Sequence, residues 1–373
     1  MRPRRPHPIA RRLFTAAAFA TASLVPAWAA DEVELYYSYF EDDDGLVVKS
    51  PGVALSKDLT ESATVGFKYL FENFSKSAPE GALDAVSGAT TVAGGTGSGF
   101  SEDRHELGAS GEYRFGLNSV AAGYVHSTEE DFESEAVSLA YTRELMQRNL
   151  TLTAAYALTQ DSVDKLDATP GEGFPKDKDT HGITLAATRL LSRTAYLTAG
   201  YAYALVEGYQ ANPTRRLVIE RRFSESAPIL ETHPDERTRQ TLFVRALKYF
   251  NTHTSGDLNL AYYTDDWGVA ATTAELRLNQ YLTPKWIGRA RYRWYSQGEA
   301  DFYKERYRVE QQYMTADMRL RSFDSTVAGL KLTYYPHGAG ISALHLALSV
   351  DRYRETHHGV EADVYQASVR IPY

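Results

Sequence analysis

The last residues of the chain, EADVYQASVRIPY, place Tyr365, Ala367, Val369, Ile371 and Tyr373 on one side of an extended backbone and Gln366, Ser368 and Arg370 on the other. Alternation of period two is the signature of a strand with one apolar and one polar face. The pattern recurs. In NLTLTAAYAL, Leu150, Leu152, Ala154, Tyr156 and Leu158 share a face; in SALHLALSV, Leu344, Leu346, Leu348 and Val350 lie opposite His345 and Ser349; in GDLNLAYY, Leu258, Leu260 and Tyr262 oppose Asp257, Asn259 and Ala261. A soluble sandwich would have to cover every such apolar face with a second sheet. After the N-terminal region no run of eighteen apolar residues occurs, so no helical span is predicted. The remaining arrangement that satisfies the backbone in a membrane is a closed barrel. The pattern therefore predicts an all-β, antiparallel, transmembrane barrel of the outer-membrane type, with about sixteen strands, or fourteen if weak ones merge. The abundance of tyrosine, 26 residues, suits the aromatic girdles of such barrels.

The connections between these strands have a parity. After even-numbered strands they are short: SKDL, GLN, MQRN, LSRT, NTHTS, LTPK and PHGA. After odd-numbered strands several are long and polar, as at 160–178, 207–236 and 297–313, with a Gly/Ser/Thr-rich loop at about 76–103. Short turns at one end and long loops at the other give the sidedness of a bacterial outer-membrane barrel.

Residues 1–30 read as an export signal. Arg2, Arg4, Arg5, Arg11 and Arg12 precede an apolar stretch from about Leu13 to Val25, and Ala27 to Ala30 supply a small-residue cleavage site. Residues 31–373 then form a single barrel domain. The formal net charge is −8, and loss of the arginine-rich signal makes the remainder more acidic still, which disfavours a nucleic-acid partner. Without cysteine, the chain has no disulfides, iron–sulfur clusters or thiol catalysis. The histidines lack metal-ligand spacing, and the adjacent pair His357–His358 reads as part of an exposed loop. Acidic stretches such as STEEDFESE and FEDDDG are either solvated or able to bind divalent cations or bridge to lipopolysaccharide.

One strand pair carries unusual charge. In WIGRARYRWY, Trp286, Gly288, Ala290, Tyr292 and Trp294 face lipid while Arg289, Arg291 and Arg293 face the lumen. The preceding strand, AELRLNQYL, turns Leu276, Leu278 and Leu282 outward and Glu275, Arg277 and Asn279 inward, and pairing across the turn brings Glu275 near Arg293. Two readings stand: a charge-balanced wall that keeps a wide barrel hydrated, or a strip that favours anions and phosphate-bearing ligands. Nearby, Glu299 and Asp301 in QGEADFYKER either bridge to the lumen arginines or are solvated. Ser349 and His345 share a strand face, but residues four apart on a strand are too distant for a nucleophile–base contact. A catalytic role is therefore not expected.

The stretch Asp84-Ala85-Val86-Ser87-Gly88-Ala89-Thr90 fits D-x-x-[ST]-G-A-[ST]. It resembles the acceptor motif of bacterial flavin transferases, which move FMN from FAD onto a hydroxyl. The resemblance implies Thr90 as the covalent FMN acceptor, with Gly88 and Ala89 keeping the approach open and Ser87 and Asp84 orienting the turn. By parity the loop lies on the external side, so modification would precede insertion of the barrel or the loop would hang into the lumen.

The stretches RYRWYSQGEADFY and YMTADMRLRSFDSTVAGLKLTYYPH resemble the bacterial outer-membrane family known as domain of unknown function 3570, and the resemblance extends over the whole mature chain. Members are similar to barrels and tend to be encoded with a flavin transferase, a small lipoprotein and a thioredoxin-like protein, which the resemblance implies as partners. The terminal aromatic Tyr373 resembles the signal read by the barrel-assembly machinery. These features lead to the expectation of a barrel in a flavin-linked extracytoplasmic electron-transfer system, with a passive or substrate-selective pore without cofactor as the alternative.

Overall fold

The computed structural model describes residues 31–76, 100–165, 173–213, 215–221, 224–225, 229–250, 252–339, 344–356 and 359–373. Sixteen antiparallel strands close into one barrel. In chain order they are β1 (Glu32–Asp42), β2 (Leu46–Thr60), β3 (Ala63–Lys76), β4 (Phe100–Phe115), β5 (Asn118–Thr128), β6 (Phe132–Leu145), β7 (Leu150–Val163), β8 (Lys176–Ser192), β9 (Ala195–Gly208), β10 (Glu236–Phe250), β11 (Thr254–Asp265), β12 (Ala270–Thr283), β13 (Trp286–Gln297), β14 (Phe323–Tyr334), β15 (His345–Thr356) and β16 (Glu361–Pro372). Each pairs with its sequence neighbours, and β1 pairs with β16 from Glu32↔Pro372 to Asp42↔Ala362, so the sheet has no free edge. No helix among the described residues is long and apolar enough to cross a membrane.

The exterior explains why the chain folds this way. Leu35, Phe67, Leu139, Leu185, Leu242, Leu260, Leu330 and Leu348 all point outward and are exposed, Leu330 by 65 %. Isolated exposed leucines are ordinary, but leucines at alternate positions right around a closed sheet make a surface for lipid. Aromatic pairs sit beside the short turns, Tyr113–Phe115 with ring centroids 6.0 Å apart and Trp286–Tyr334 at 4.5 Å, where headgroups meet water.

The parity of the links is present, with shifted boundaries. The even-strand turns are 61–62, 116–117, 146–149, 193–194, 251–253 and 284–285, while 335–344 is longer than the predicted PHGA. SKDL belongs to β2, which continues to Thr60; there Thr60 Oγ1 accepts from the Ser62 and Ala63 amides and turns the chain at Glu61-Ser62. The long links are 77–99, 164–175, 209–235 and 298–322. The first is shorter than the expected 76–103 because Phe100 to Asp103 already pair with β3.

The interior is polar and in places very tightly fitted. The Tyr36 ring lies over Gly52, where a Cβ would come within 2.2 Å of it, and Phe243 covers Gly200 at the same distance. An aromatic side chain over a strand glycine shields the backbone that the glycine leaves bare.

The two longest described links, 209–235 and 298–322, fold together as one cap at the long-loop end. Backbone bridges join Ile219 to Tyr307 and Thr232 to Met314. Leu217, Ile219, Tyr307 and Met314 form one buried cluster, and Trp267, Val269, Ala300, Tyr303 and Leu320 another. The cap is tied to the wall: Gln297 Nε2 donates to the carbonyls of Arg319 and Arg321 at 2.8 Å each, and Arg321 pairs with Glu355 on the inner face of β15, both side chains buried.

Candidate functional site

The strand register divides the lumen into unlike walls. From β5 to β9 the inward positions are small and mostly neutral, including Ala121, Gly123, Ala136, Ser138, Ala155, Ala157, Gly182, Ala186, Ala202 and Ala204. From β10 to β14 they carry Arg237, Arg239, Arg245, Arg277, Arg289, Arg291, Arg293 and Lys331. Arg289 is exposed although it points inward, and the Arg245 side chain keeps 43 % of its surface accessible, so water reaches the inside of the wall.

Acids are interleaved with these cations. Asp257 takes both Nε and Nη2 of Arg245, at 2.9 and 2.7 Å. Glu275 accepts Nε and Nη2 of Arg291, at 2.9 and 2.8 Å, and also pairs with Arg277. Asp265 holds Arg237, and Asp351 lies 3.5 Å from Arg291. Of the residues singled out from sequence, Glu275 and Arg293 are cross-strand partners in the backbone register, as pairing across the turn requires. Their side chains do not pair. Glu275 leans along the strand to Arg277 and diagonally to Arg291, while the Arg293 guanidinium lies 5.6 Å from the Tyr295 ring centroid. Arg289 donates through Nε to Asn279 Oδ1 at 2.7 Å and meets no carboxylate among the described residues.

The alternation pattern put Asp257 on the polar face without an ionic partner and did not single out Asp351, Lys331, Arg239 or Arg245. Their signal was present in the same period-two pattern, but which charges meet depends on register across several strands. Glu299 and Asp301 make no ion pair among the described residues. Instead the Asp301 amide donates to the Trp267 carbonyl at 2.9 Å, so this segment builds the cap. Ser349 Oγ donates to Gln366 Oε1 at 3.2 Å and the His345 ring packs on Tyr335 at 5.1 Å, so the two engage different partners.

The cap has its own buried charge network. Arg215 lies 2.8 Å from Asp317 and 3.2 Å from Glu231; Asp317 also accepts Arg319 at 2.6 Å, and Glu231 accepts the Thr315 hydroxyl at 2.8 Å. Burial alone would raise both carboxyl pKa values. That is the largest single influence, but Arg215 together with His233 at Glu231, and with Arg319 at Asp317, outweighs it and holds both carboxyls below their ordinary range. Elsewhere, Glu102, Glu129 and Asp131 bring carboxylate oxygens within 4.8 Å of one another, with Arg104 3.6 Å from Glu129. Asp84, Ser87, Gly88, Ala89 and Thr90 lie outside the described residues, as do His357 and His358.

A closed sixteen-stranded barrel with a leucine exterior and a charged, hydrated interior is a membrane-spanning barrel of the bacterial outer-membrane class. The chain belongs to the family described as "Protein of unknown function (DUF3570)", whose model matches residues 10–371. Its fold is similar to that of a bacterial polysaccharide outer membrane secretin, at 8 % identity over 93 % of this chain and 99 % of that one, with a TM-score of 0.52. A BenF-like porin from Pseudomonas fluorescens Pf-5 matches at 9 % identity, 92 % and 98 % coverage and a TM-score of 0.46. OprD from Pseudomonas aeruginosa matches at 10 % identity, 92 % and 94 % coverage and a TM-score of 0.44. No curated protein sequence matches this chain at a significant level.

Proposed function

We propose that the barrel is an outer-membrane channel for small hydrophilic solutes, with a preference for anions. The observation that carries this reading is the uneven lumen wall: cations outnumber the acids interleaved with them on β10 to β14, while mostly small, neutral side chains line β5 to β9. Barrels of sixteen strands are wide enough for an aqueous interior. Arginine and lysine on a pore wall lower the barrier for anions more than for cations. The cap formed by 209–235 and 298–322 covers part of the long-loop end and would restrict the size of solutes that pass. The test is the reversal potential of the purified protein in planar bilayers under a potassium chloride gradient. A chloride-side potential supports the reading; absence of conductance, or a potassium-side potential, overturns it.

A flavin-linked role is the second reading, and the motif Asp84 to Thr90 is the observation in its favour. In this reading FMN is esterified to Thr90 and electrons pass through the flavin, while Gly88 and Ala89 keep the approach open to the transferase and Ser87 and Asp84 orient the turn. Intact mass of the protein co-expressed with a flavin transferase, beside the Thr90→Ala variant, decides it. An FMN-sized mass gain that needs both Thr90 and the transferase supports the flavin reading, and no gain under conditions that modify a control acceptor sinks it.

A further inference from the structure

We infer that Arg289 and Lys331 form a discrete site for one small oxyanion, a phosphate or carboxylate group, in the lumen near the short-turn mouth. This rests on the channel reading above only for how the anion arrives.

The two residues are direct cross-strand partners on β13 and β14 and both point inward. Like charges in that relation repel, because directly opposed side chains stand only ~5 Å apart at Cβ. Elsewhere on this wall the repulsion is relieved by acids, and here it is not. Arg289 gives Nε to Asn279, which orients the guanidinium and leaves both terminal NH2 groups without a partner among the described residues. Lys331 has no hydrogen bond or ion pair among the described residues. The flanking inward positions along the same rung, Asn279 and Ser349, are neutral hydrogen-bonding groups.

Nearby acids are already engaged. Asp257 is held by Arg245 through two contacts, and Asp351 lies against Arg291. Glu34, the acid that acts most on Lys331, is held by Arg370 at 2.9 Å. The other cations without a carboxylate differ in kind. Arg293 rests on the Tyr295 ring, and Arg239 is half-buried among Arg237, Tyr263, Asp265 and Arg319 near the cap. Arg289 is exposed to the lumen, so an ion can reach it from water. A guanidinium edge with two free NH2 groups matches a pair of oxyanion oxygens, and an ammonium opposite it reaches a third. Donors on two cations in this register suit the several oxygens of a phosphate better than the two of a carboxylate.

The test is isothermal titration of the purified full-length protein in detergent with inorganic phosphate, and in a second arm with succinate, against a constant chloride background. Lys331→Gln and Arg289→Gln are the variants. Each removes one side of a like-charge pair, so each is expected to fold at least as well as the parent, checked by its thermal midpoint without phosphate. The expected result is saturable 1:1 phosphate binding that weakens tenfold or more in either variant, with phosphate raising the thermal midpoint of the parent only. Succinate binding that falls in the same variants assigns the site to oxyanions at large; phosphate binding alone narrows it to phosphates. No phosphate binding in the parent, or binding unchanged in both variants, overturns the site. Conductance of the same preparation separates the two readings: a conducting barrel that binds no phosphate loses only the site, and a phosphate-binding barrel that does not conduct loses only the channel.

Discussion

Arg291 and Asp351 lie on strands that are not neighbours, yet their side chains approach to 3.5 Å across the intervening β14. The residue between them is Gly329, and a Cβ built there would fall 1.8 Å from Asp351 Oδ1. The missing side chain is what lets an acid on β15 serve an arginine on β13.

Gly329→Ala is therefore expected to displace Asp351 and break this pair. Both side chains are partly exposed, so the loss of stability is modest, ~1 kcal/mol. Gly298→Ala is the control, since its Cβ would meet nothing closer than the Ala270 carbonyl at 3.8 Å. Thermal unfolding in detergent should show a lower midpoint for Gly329→Ala and little change for Gly298→Ala.

Glu275 neutralises both Arg277 and Arg291. Glu275→Gln keeps the shape and removes the charge, so reconstituted channels should become more anion-selective, read as a larger chloride-side reversal potential. An unchanged potential would mean that permeating ions do not feel this wall.

The leucine exterior predicts an asymmetry between adjacent residues. Leu260→Arg puts a charge into lipid near the middle of β11 and is expected to cost about 2–4 kcal/mol. Asn259→Arg, one residue away and inward, should cost far less. Reversible denaturant unfolding in lipid vesicles measures both, and equal losses would contradict the inside–outside assignment.

The cap should tolerate acid. Glu231 and Asp317 have carboxyl pKa values held below those of the unfolded chain, so their contribution is complete above the unfolded values near ~4 and is lost only as pH falls through the lower folded values. Limited proteolysis of 298–322 should then proceed equally slowly at neutral pH and at pH near ~5. Asp317→Asn leaves Arg319 and part of Arg215 without their partner, at a cost of about 3 kcal/mol, and should open the cap to protease at both pH values.

Which residues face lipid was legible from sequence because a strand has only two faces, and a few leucines settle which is which. Leu258, Leu260 and Tyr262 are all outward for that reason. Turn ends were less legible, as SKDL shows: a polar run is equally at home in the last pairs of a strand outside the lipid. Ion pairing was least legible. The backbone register of Glu275 and Arg293 follows from one hairpin, but a long side chain reaches diagonally, and Arg291 offers Glu275 both Nε and Nη2. Lys331 emerges as a partner of Arg289 only when β14 is set in register across the 298–322 link, a join that no local pattern encodes. The cap was hidden for a similar reason, since its charges come from segments as far apart as Arg215 and Asp317.

The pairing of β1 with β16 has a consequence for how the molecule comes into being. Every other seam joins strands that are neighbours in sequence, so those hairpins close over short loops or single links. The last seam must wait for the whole chain, and until then two raw strand edges remain open to any other strand. Arg370 reaching Glu34, and Tyr373 reaching the carbonyl of Ser56 on β2, act as a latch across that seam, holding only when the two ends of the sheet have met.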